Sequence, residues 1–289
     1  FSTPDTPLPE VKLLSNGGRY SVLITNAGGG YSRWNDLAVT RWREDPTCDN
    51  WGAFCYIRDN ETGIFWSTTY QPTLKRPEKY EVIFSEGRAE FRRRDNDIDT
   101  HTEIVVSPED DIELRRVRLT NRTRKKRIID ITSYAEVVLA PTDSDLSHPA
   151  FSNLFVQTEI IHERQAILCT RRPRSVDEHS PYMFHLMAVH GAEIRNISFE
   201  TDRLQFIGRG NTTAVPQVMT NPGSLSGSEG SVLDPVVAVQ YQIVLGPDGS
   251  ATVDIVTGIS ISREGALNLV EKYQDKQIAN RVFELAWTH

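Results

Sequence analysis

The chain has 289 residues, a length that suits one large all-β domain or two ordinary domains. Hydrophobic residues make up 38% and charged residues 25%, which is ordinary for a globular protein and argues against disorder. The formal charge of −7 argues against nucleic acid as the main partner. The sequence also has no run of about 18 apolar residues that could insert directly into a membrane.

Period-two alternation dominates the chain from residue 19 onward and predicts β-strands. The segments are rich in β-branched and aromatic residues, and turn signals such as 59–63 and 246–249 separate them. The predicted strands are 19–25, 53–59, 80–84, 100–108, 111–121, 127–140, 154–161, 165–170, 183–190, 235–245 and 251–260. So many short strands imply two packed antiparallel sheets, so the predicted fold class is mainly β, a large two-sheet sandwich.

The segment 115–127 is strongly basic and allows two interpretations. It could bind nucleic acid, or it could form a hairpin whose cations are solvated at the 121–126 turn. The acidic charge of the whole chain and the lack of interleaved aromatic residues favour the hairpin. A phase slip in the alternation at Arg115 and Arg116 predicts a β-bulge.

The end of the chain changes to helical spacing. Ser262 is a predicted N-cap, and apolar residues recur at helical intervals in 262–275 and in 277–287. These helices either link the β domain to an onward domain or close the sandwich, and the sequence favours neither. The predicted division is a β domain over 1–261 and a helical linker over 262–289.

Three consecutive glycines, 28–30, follow the first predicted strand and allow a close approach of backbone to a ligand or to a neighbouring strand. Their spacing fits neither a dinucleotide fingerprint nor a P-loop. Four tryptophans lie just beyond them, among charged side chains: Trp34, Trp42, Trp51 and Trp66. A single tryptophan more often fills a core, but such a concentration favours a carbohydrate site, where aromatic faces and placed polar groups combine.

A second polar cluster lies in 140–155. Asp143, Asp145 and His148 could be metal ligands, but a loop held by Asx-turns is the favoured interpretation. No acid–base pair or nucleophile motif is recognisable, so the sequence predicts neither a catalytic residue nor a metal site. Three cysteines without a CxxC pair favour a reducing compartment.

Several long segments resemble glycoside hydrolase family 94, formerly glycosyltransferase family 36, and include matches to the carboxy-terminal region of cyclic β-1,2-glucan synthases. The segments are LLSNGGRYSV (13–22), NAGGGYSRW (26–34), LAVTRWR (37–43) and HPAFSNLF (148–155). They occur in the expected order over nearly the whole chain. One departure is the second glycine in 16–19, where the family pattern has one.

The resemblance implies a β-supersandwich of the galactose-mutarotase type, followed by linker helices and an (α/α)6-barrel that this chain lacks. In the family, the barrel carries the general acid and most phosphate ligands, so this chain alone is expected to be inactive. It would support carbohydrate binding, active-site completion and dimerisation, with inorganic phosphate as co-substrate and no cofactor. The expected partners are a β-glucan oligosaccharide, the barrel and a second copy of the chain. The expected location is the cytoplasm, or the cytoplasmic part of an inner-membrane protein. The alternative is an autonomous carbohydrate-binding or assembly module.

The family's patterns map onto one set of predicted substrate-binding residues, and the two polar clusters supply the others. They are Gly29, Gly30, Tyr31, Ser32, Arg33, Trp34, Arg41, Arg43, Asp143, His148 and Asn153. We expect 27–34 and 143–153 to be two loops at the same end of the sandwich, which face a sugar across a dimer interface.

Overall fold

The computed structural model describes residues 1–173, 175 and 178–288, so His289 of the predicted linker lies outside the described residues. Within these ranges two antiparallel sheets, one of nine strands and one of eight, confirm the predicted mainly β sandwich. The strands are β1 Val11–Ser15, β2 Tyr20–Thr25, β3 Gly30–Trp34, β4 Leu37–Thr40, β5 Phe54–Asp59, β6 Phe65–Ser67, β7 Lys79–Ser85, β8 Arg88–Asp95, β9 Ile98–Val106, β10 Ile112–Asn121, β11 Arg127–Pro141, β12 Val156–Ile161, β13 Ala166–Arg171, β14 Tyr182–His190, β15 Glu193–Asp202, β16 Pro235–Leu245 and β17 Ser250–Ser260. The helices are α1 Thr142–Ser147, α2 Pro149–Asn153, α3 Arg203–Ile207, α4 Gln217–Thr220, α5 Arg263–Tyr273 and α6 Lys276–Thr288, with one 3₁₀ turn at His162–Arg164. No helix in the described ranges has the length and apolar character needed to cross a membrane.

The long strand β11 organises the nine-stranded sheet, whose order is β1-β2-β3-β4-β11-β16-β15. On one side β11 pairs with β16, and on the other it holds two short strands end to end. Its first half pairs with β5, and its second half pairs with β4, with a register shift between Val137 and Ala140. The connection 41–53, which carries two of the tryptophans, therefore leaves the sheet at the middle of β11.

The eight-stranded sheet has the order β12-β13-β14-β17-β10-β9-β8-β7. Since β10 lies in this sheet and β11 in the other, the basic turn at 122–126 is a crossover between sheets, and the predicted hairpin is wrong. The predicted bulge is also wrong, because β10 pairs with β17 without a register shift. Arg115 and Arg116 fit both faces of a regular strand because Arg115 Nε donates to Glu113 at 2.9 Å and Arg116 Nε donates to Asp254 at 2.6 Å.

The main core lies between the two sheets and contains Trp66, which is only 1% exposed. Helices α5 and α6 cover the outer face of the eight-stranded sheet with an apolar stripe that includes Val270, Val282 and Phe283. The predicted N-cap is confirmed, because Ser262 Oγ accepts a hydrogen bond from the α5 backbone. The helices therefore do close the sandwich on this side, and the onward domain stays a prediction.

Candidate functional site

The triglycine segment forms a tight turn that packs against two other parts of the chain. Gly30 has a φ of +145°, and a Cβ atom there would lie 1.8 Å from the Leu23 carbonyl oxygen. Its backbone N–H donates to the Trp51 carbonyl at 2.8 Å, and a Cβ on Gly28 would lie 2.2 Å from Thr69. No larger residue fits such close approaches, so these glycines are explained by packing.

The predicted loop over 27–34 is wrong in its second half, because Gly30–Trp34 is strand β3. Side chains alternate across a strand, and here the two faces have different partners. Ser32 Oγ donates to Glu113, and Trp34 Nε1 donates to Asp111 at 2.8 Å; both acceptors belong to the opposite sheet or its edge. Ser32 and Trp34 therefore point into the sandwich, and the residues between and before them point outward.

The outward side chains of β3, Tyr31 and Arg33, form a small aromatic and cationic surface together with Trp42 of the 41–53 connection; we call it the Tyr31 patch. The Tyr31 and Trp42 ring centroids lie 5.7 Å apart in an edge-on contact. The Arg33 guanidinium lies 4.5 Å from the Tyr31 centroid. All three side chains are half-buried, so the patch is partly ordered and partly accessible. An aromatic face beside hydrogen-bond donors is what a sugar ring requires.

Arg43 lies further along the same connection. Its guanidinium lies 5.5 Å from the Trp51 ring. Its Nε is buried and has no hydrogen-bond partner among the described residues. A buried donor of this kind is available to a ligand or a water molecule.

Arg41 occupies a different environment from Arg33 and Arg43. It is buried, and its Nε and Nη2 donate to the two carboxylate oxygens of Asp145 at 3.0 and 2.9 Å. Nη1 donates to Glu136 at 3.0 Å, and Nη2 also donates to Asn153 Oδ1 at 2.6 Å. Burial alone would lower the pKa of Arg41, but the bonds and charges of Asp145 and Glu136 raise it above its ordinary value. Arg41 and Asn153, both predicted to bind substrate, are thus hydrogen-bonded to each other.

The segment predicted as a polar loop, 143–153, contains the two short helices α1 and α2. Neither helix has a side-chain cap, so the interpretation with Asx-turns is wrong; the arginine at position 41 holds the segment instead. Asp143 and His148 are exposed and border a shallow pocket of about 360 Å³. The pocket is lined by Asp143, Ser144, Ser147, His148, Phe151 and Ser152.

The strand register relates this segment to β3. Trp34 pairs with Leu37, and Leu37 pairs with Pro141, the residue before α1. Trp34 therefore lies about 10 Å, or two strand spacings, from the start of α1. The glycine turn lies at the other end of β3, so of 27–34 only the Trp34 end lies beside α1.

The Tyr31 patch and Arg41 lie on the same side of the nine-stranded sheet. Glu136, which binds Arg41, projects from the outer face, because Ala135 and Val137 on either side of it belong to the core between the sheets. Tyr31 and Arg33 also project outward. Tyr31 and Arg33 thus share the outer face with Arg41, which binds Asp145 of α1.

Glu136, Asp145 and Trp42 are parts of this region that the predicted site set omits. Glu136 also accepts a hydrogen bond from Arg203 Nε at 2.7 Å, which ties the network to α3. The available signals were the position of Glu136 in an alternating strand and of Trp42 among charged residues. Neither signal shows which arginine a carboxylate will meet.

Two other sets of titratable side chains could suggest a metal site or a catalytic residue. Glu90, His101 and Glu103 are close enough to share a metal ion, but Glu103 is already bonded to Arg88 at 2.5 Å and lies 3.3 Å from Arg118. These cations neutralise the site that a metal would need.

The second group is His185, which is buried between the sheets. Its ring nitrogens lie 2.8 Å from the hydroxyls of Ser133 and Thr257. Burial, with a smaller effect of Arg115, lowers the pKa of His185 to about 3. His185 is therefore neutral at physiological pH, and its role is to hydrogen-bond within the core.

Comparison with known proteins gives consistent matches. Residues 1–276 match the glycosyl hydrolase 94 supersandwich domain. The chain is 38% identical over 279 residues to the cyclic β-(1,2)-glucan synthase NdvB of Rhizobium meliloti (strain 1021), covering 96% of this chain and 10% of that protein. It is 26% identical over 288 residues to the N,N'-diacetylchitobiose phosphorylase of Vibrio furnissii, covering 98% of this chain and 34% of that protein. This chain thus spans about a third or less of these relatives.

Among solved structures, a bacterial glucoamylase complexed with acarbose matches with a TM-score of 0.55 and 8% identity, over 100% of this chain and 39% of the glucoamylase chain. At that identity the likeness concerns the fold alone.

Proposed function

Because the chain belongs to glycosyl hydrolase family 94 and forms its supersandwich domain, we propose that it is the non-catalytic β-sandwich domain of a β-glucan-active enzyme. That enzyme would be of the glucan synthase or glycoside phosphorylase type, with inorganic phosphate as co-substrate and no cofactor. Its general acid would come from a barrel domain. The sandwich would contribute carbohydrate contacts to the active site, in the cytoplasm or on the cytoplasmic side of a membrane protein.

The Tyr31 patch carries this proposal. A half-buried tyrosine in contact with a tryptophan offers a rigid apolar face, and Arg33 beside it offers several N–H donors. Two buried carboxylates of the region are engaged by arginines: Glu113 by Arg115, and Asp145 by Arg41. These two carboxylates are therefore not free for acid–base catalysis.

The first test uses the chain alone. Purified chain is incubated with β-1,2-gluco-oligosaccharides and phosphate, and glucose 1-phosphate is measured. We expect no release above the uncatalysed background, because the general acid is supplied elsewhere. Release at enzyme-like rates would refute the non-catalytic role.

The second test uses an enzyme that carries this domain together with its barrel. Arg33→Ala should lower turnover by roughly tenfold or more, since a hydrogen bond to a sugar hydroxyl contributes about 1–2 kcal/mol. The melting temperature should not change. The control is Arg92→Ala, an arginine on β8 of the other sheet that is 51% exposed. Unchanged kinetics for Arg33→Ala would count against the proposed site.

An autonomous carbohydrate-binding or assembly module is a second candidate, because the Tyr31 patch is already formed in this chain. Titration calorimetry with β-1,2-linked oligosaccharides separates the two. Micromolar binding by the isolated chain supports the module, whereas no binding up to millimolar sugar supports a surface that the barrel completes.

A homodimer is part of the proposal. Leu146 and Leu154 are 51% and 43% exposed on the α1–α2 segment, and a partner subunit would cover them. Sedimentation equilibrium at micromolar concentration tests this. A strictly monomeric chain, in both the isolated and the barrel-linked form, would exclude it.

A further inference from the structure

In the α1–α2 segment the buried side chains are polar, and the large apolar side chains are exposed. The buried residues of its helices are polar: Asp145 in α1, and Ser152 and Asn153 in α2. Its large apolar side chains are outside, with Leu146 51% and Phe151 55% exposed. Burial of apolar surface, the usual force that docks a helix, therefore does not hold this segment in place.

The two helices are also too short to be stable on their own. They are six and five residues long, far below the length at which an isolated helix is stable. No side chain caps either amino terminus. The fixed position of the segment must therefore come from polar tertiary contacts.

Arg41 supplies the central contacts. Its backbone N–H donates to the Glu136 carbonyl at 3.1 Å, so its own position is set by the pairing of β4 with β11. Its guanidinium then binds Glu136 on β11, Asp145 on α1 and Asn153 on α2, all at 3.0 Å or less. One planar side chain thus bridges the sheet and both helices.

We propose that Arg41 is a positioning residue: it holds the α1–α2 segment against the outer face of the sheet. This geometry orients Asp143, His148 and Phe151 around their shallow pocket. An aromatic ring with a carboxylate and an imidazole suits a saccharide. This last step rests on the proposed function, while the positioning role does not.

Hydrogen exchange measured by mass spectrometry on the whole chain tests the positioning role. In Arg41→Met, amides of 142–153 should exchange about a hundredfold faster or more, because Asp145 loses its buried cationic partner, while Glu136 keeps Arg203. Strands β9 and β10 should keep their protection. Arg41→Lys should rescue only partly, since an ammonium cannot form the paired bonds to Asp145. The control is Arg92→Met, which should leave 142–153 unchanged.

Two results would overturn the proposal. One is unchanged exchange of 142–153 in Arg41→Met, and the other is an equal loss of protection in all strands, which would make Arg41 a general stabiliser. Asp145→Asn covers the case in which Arg41→Met does not fold, because it keeps the side-chain shape and the bond between Arg41 and Glu136. It should accelerate exchange in 142–147, and unchanged exchange there would again overturn the proposal.

A binding experiment with the same variants separates this inference from the proposed function. If wild-type protein binds β-1,2-gluco-oligosaccharide, Arg41→Met should weaken the affinity at least about tenfold, and Arg41→Lys less. Binding that stays unchanged while 142–153 becomes mobile would remove the pocket from the sugar site but leave the positioning role intact. If wild type does not bind, the isolated chain has no autonomous sugar site, and the exchange result alone decides the role of Arg41.

Discussion

Asp49 lies against the glycine turn in an environment that opposes its charge. Its carboxylate accepts a hydrogen bond from the Thr25 hydroxyl, and a Cβ atom on Gly29 would lie 2.1 Å from its Oδ1. Burial raises the pKa of Asp49 from 3.8 to about 6, against a smaller opposing effect of the bond from Thr25. The folded protein therefore holds this proton more tightly than the unfolded chain does.

The sign of the pH dependence follows from the two pKa values. Well below pH 3.8 the carboxyl is protonated in both states, and its contribution to stability is fully present. That contribution is lost as the pH rises through about 6, because the unfolded chain ionises first. A shift of about two pKa units at about 1.4 kcal/mol each corresponds to roughly 3 kcal/mol at pH 8.

Asp49→Asn should remove this effect, because the amide is neutral and of similar shape. The variant should lie within about 0.5 kcal/mol of wild type at pH 4 and exceed its free energy of unfolding by up to about 3 kcal/mol at pH 8. Urea denaturation at half-unit pH steps measures the difference, in which the other carboxylates cancel. The control Asp36→Asn, at an exposed turn, should show no such trend. A difference that is independent of pH would refute the reasoning.

Two further substitutions test the packing. Gly30→Ala should destabilise the fold by about 3 kcal/mol or more, because its Cβ would meet the Leu23 carbonyl at 1.8 Å. The control is Gly17→Ala, where φ is positive but the surrounding space is open, and it should lower the free energy of unfolding by only about 1 kcal/mol. Equal losses in urea denaturation would show that backbone strain, not the close approach, explains the turn. Phe283→Ala should cost about 3 kcal/mol by opening a cavity under α6, whereas Trp287→Ala, 72% exposed, should stay within about 0.5 kcal/mol. If Phe283→Ala leaves the free energy of unfolding unchanged, the packing of α6 contributes little to the stability of the fold.

The alternation of apolar residues predicted eleven of the seventeen described strands and missed β1, β3, β4, β6, β8 and β15, although several of these line the core. The pattern fails in β8 because its buried positions include Arg93 and Asp95, which form an ion pair with each other, beside Ala89 and Phe91. It also could not assign strands to sheets. The turns 122–126 and 246–249 have ordinary turn residues, yet each joins strands of different sheets, because pairing depends on partners that are distant in the sequence.

The candidate site shows the same limit at the level of single side chains. Arg33 and Arg41 look equivalent in the sequence, since each directly precedes a tryptophan. Arg41 meets carboxylates from residues 136 and 145, and this long-range contact makes it part of the framework. Arg33 makes no ion pair within the described part of the chain; its guanidinium lies over Tyr31 at the surface. On a domain with an excess of carboxylates, an arginine kept free of them has donors to spare for neutral hydroxyl groups. This is the physical reason for proposing that a sugar binds at Arg33 and that Arg41 supports the site.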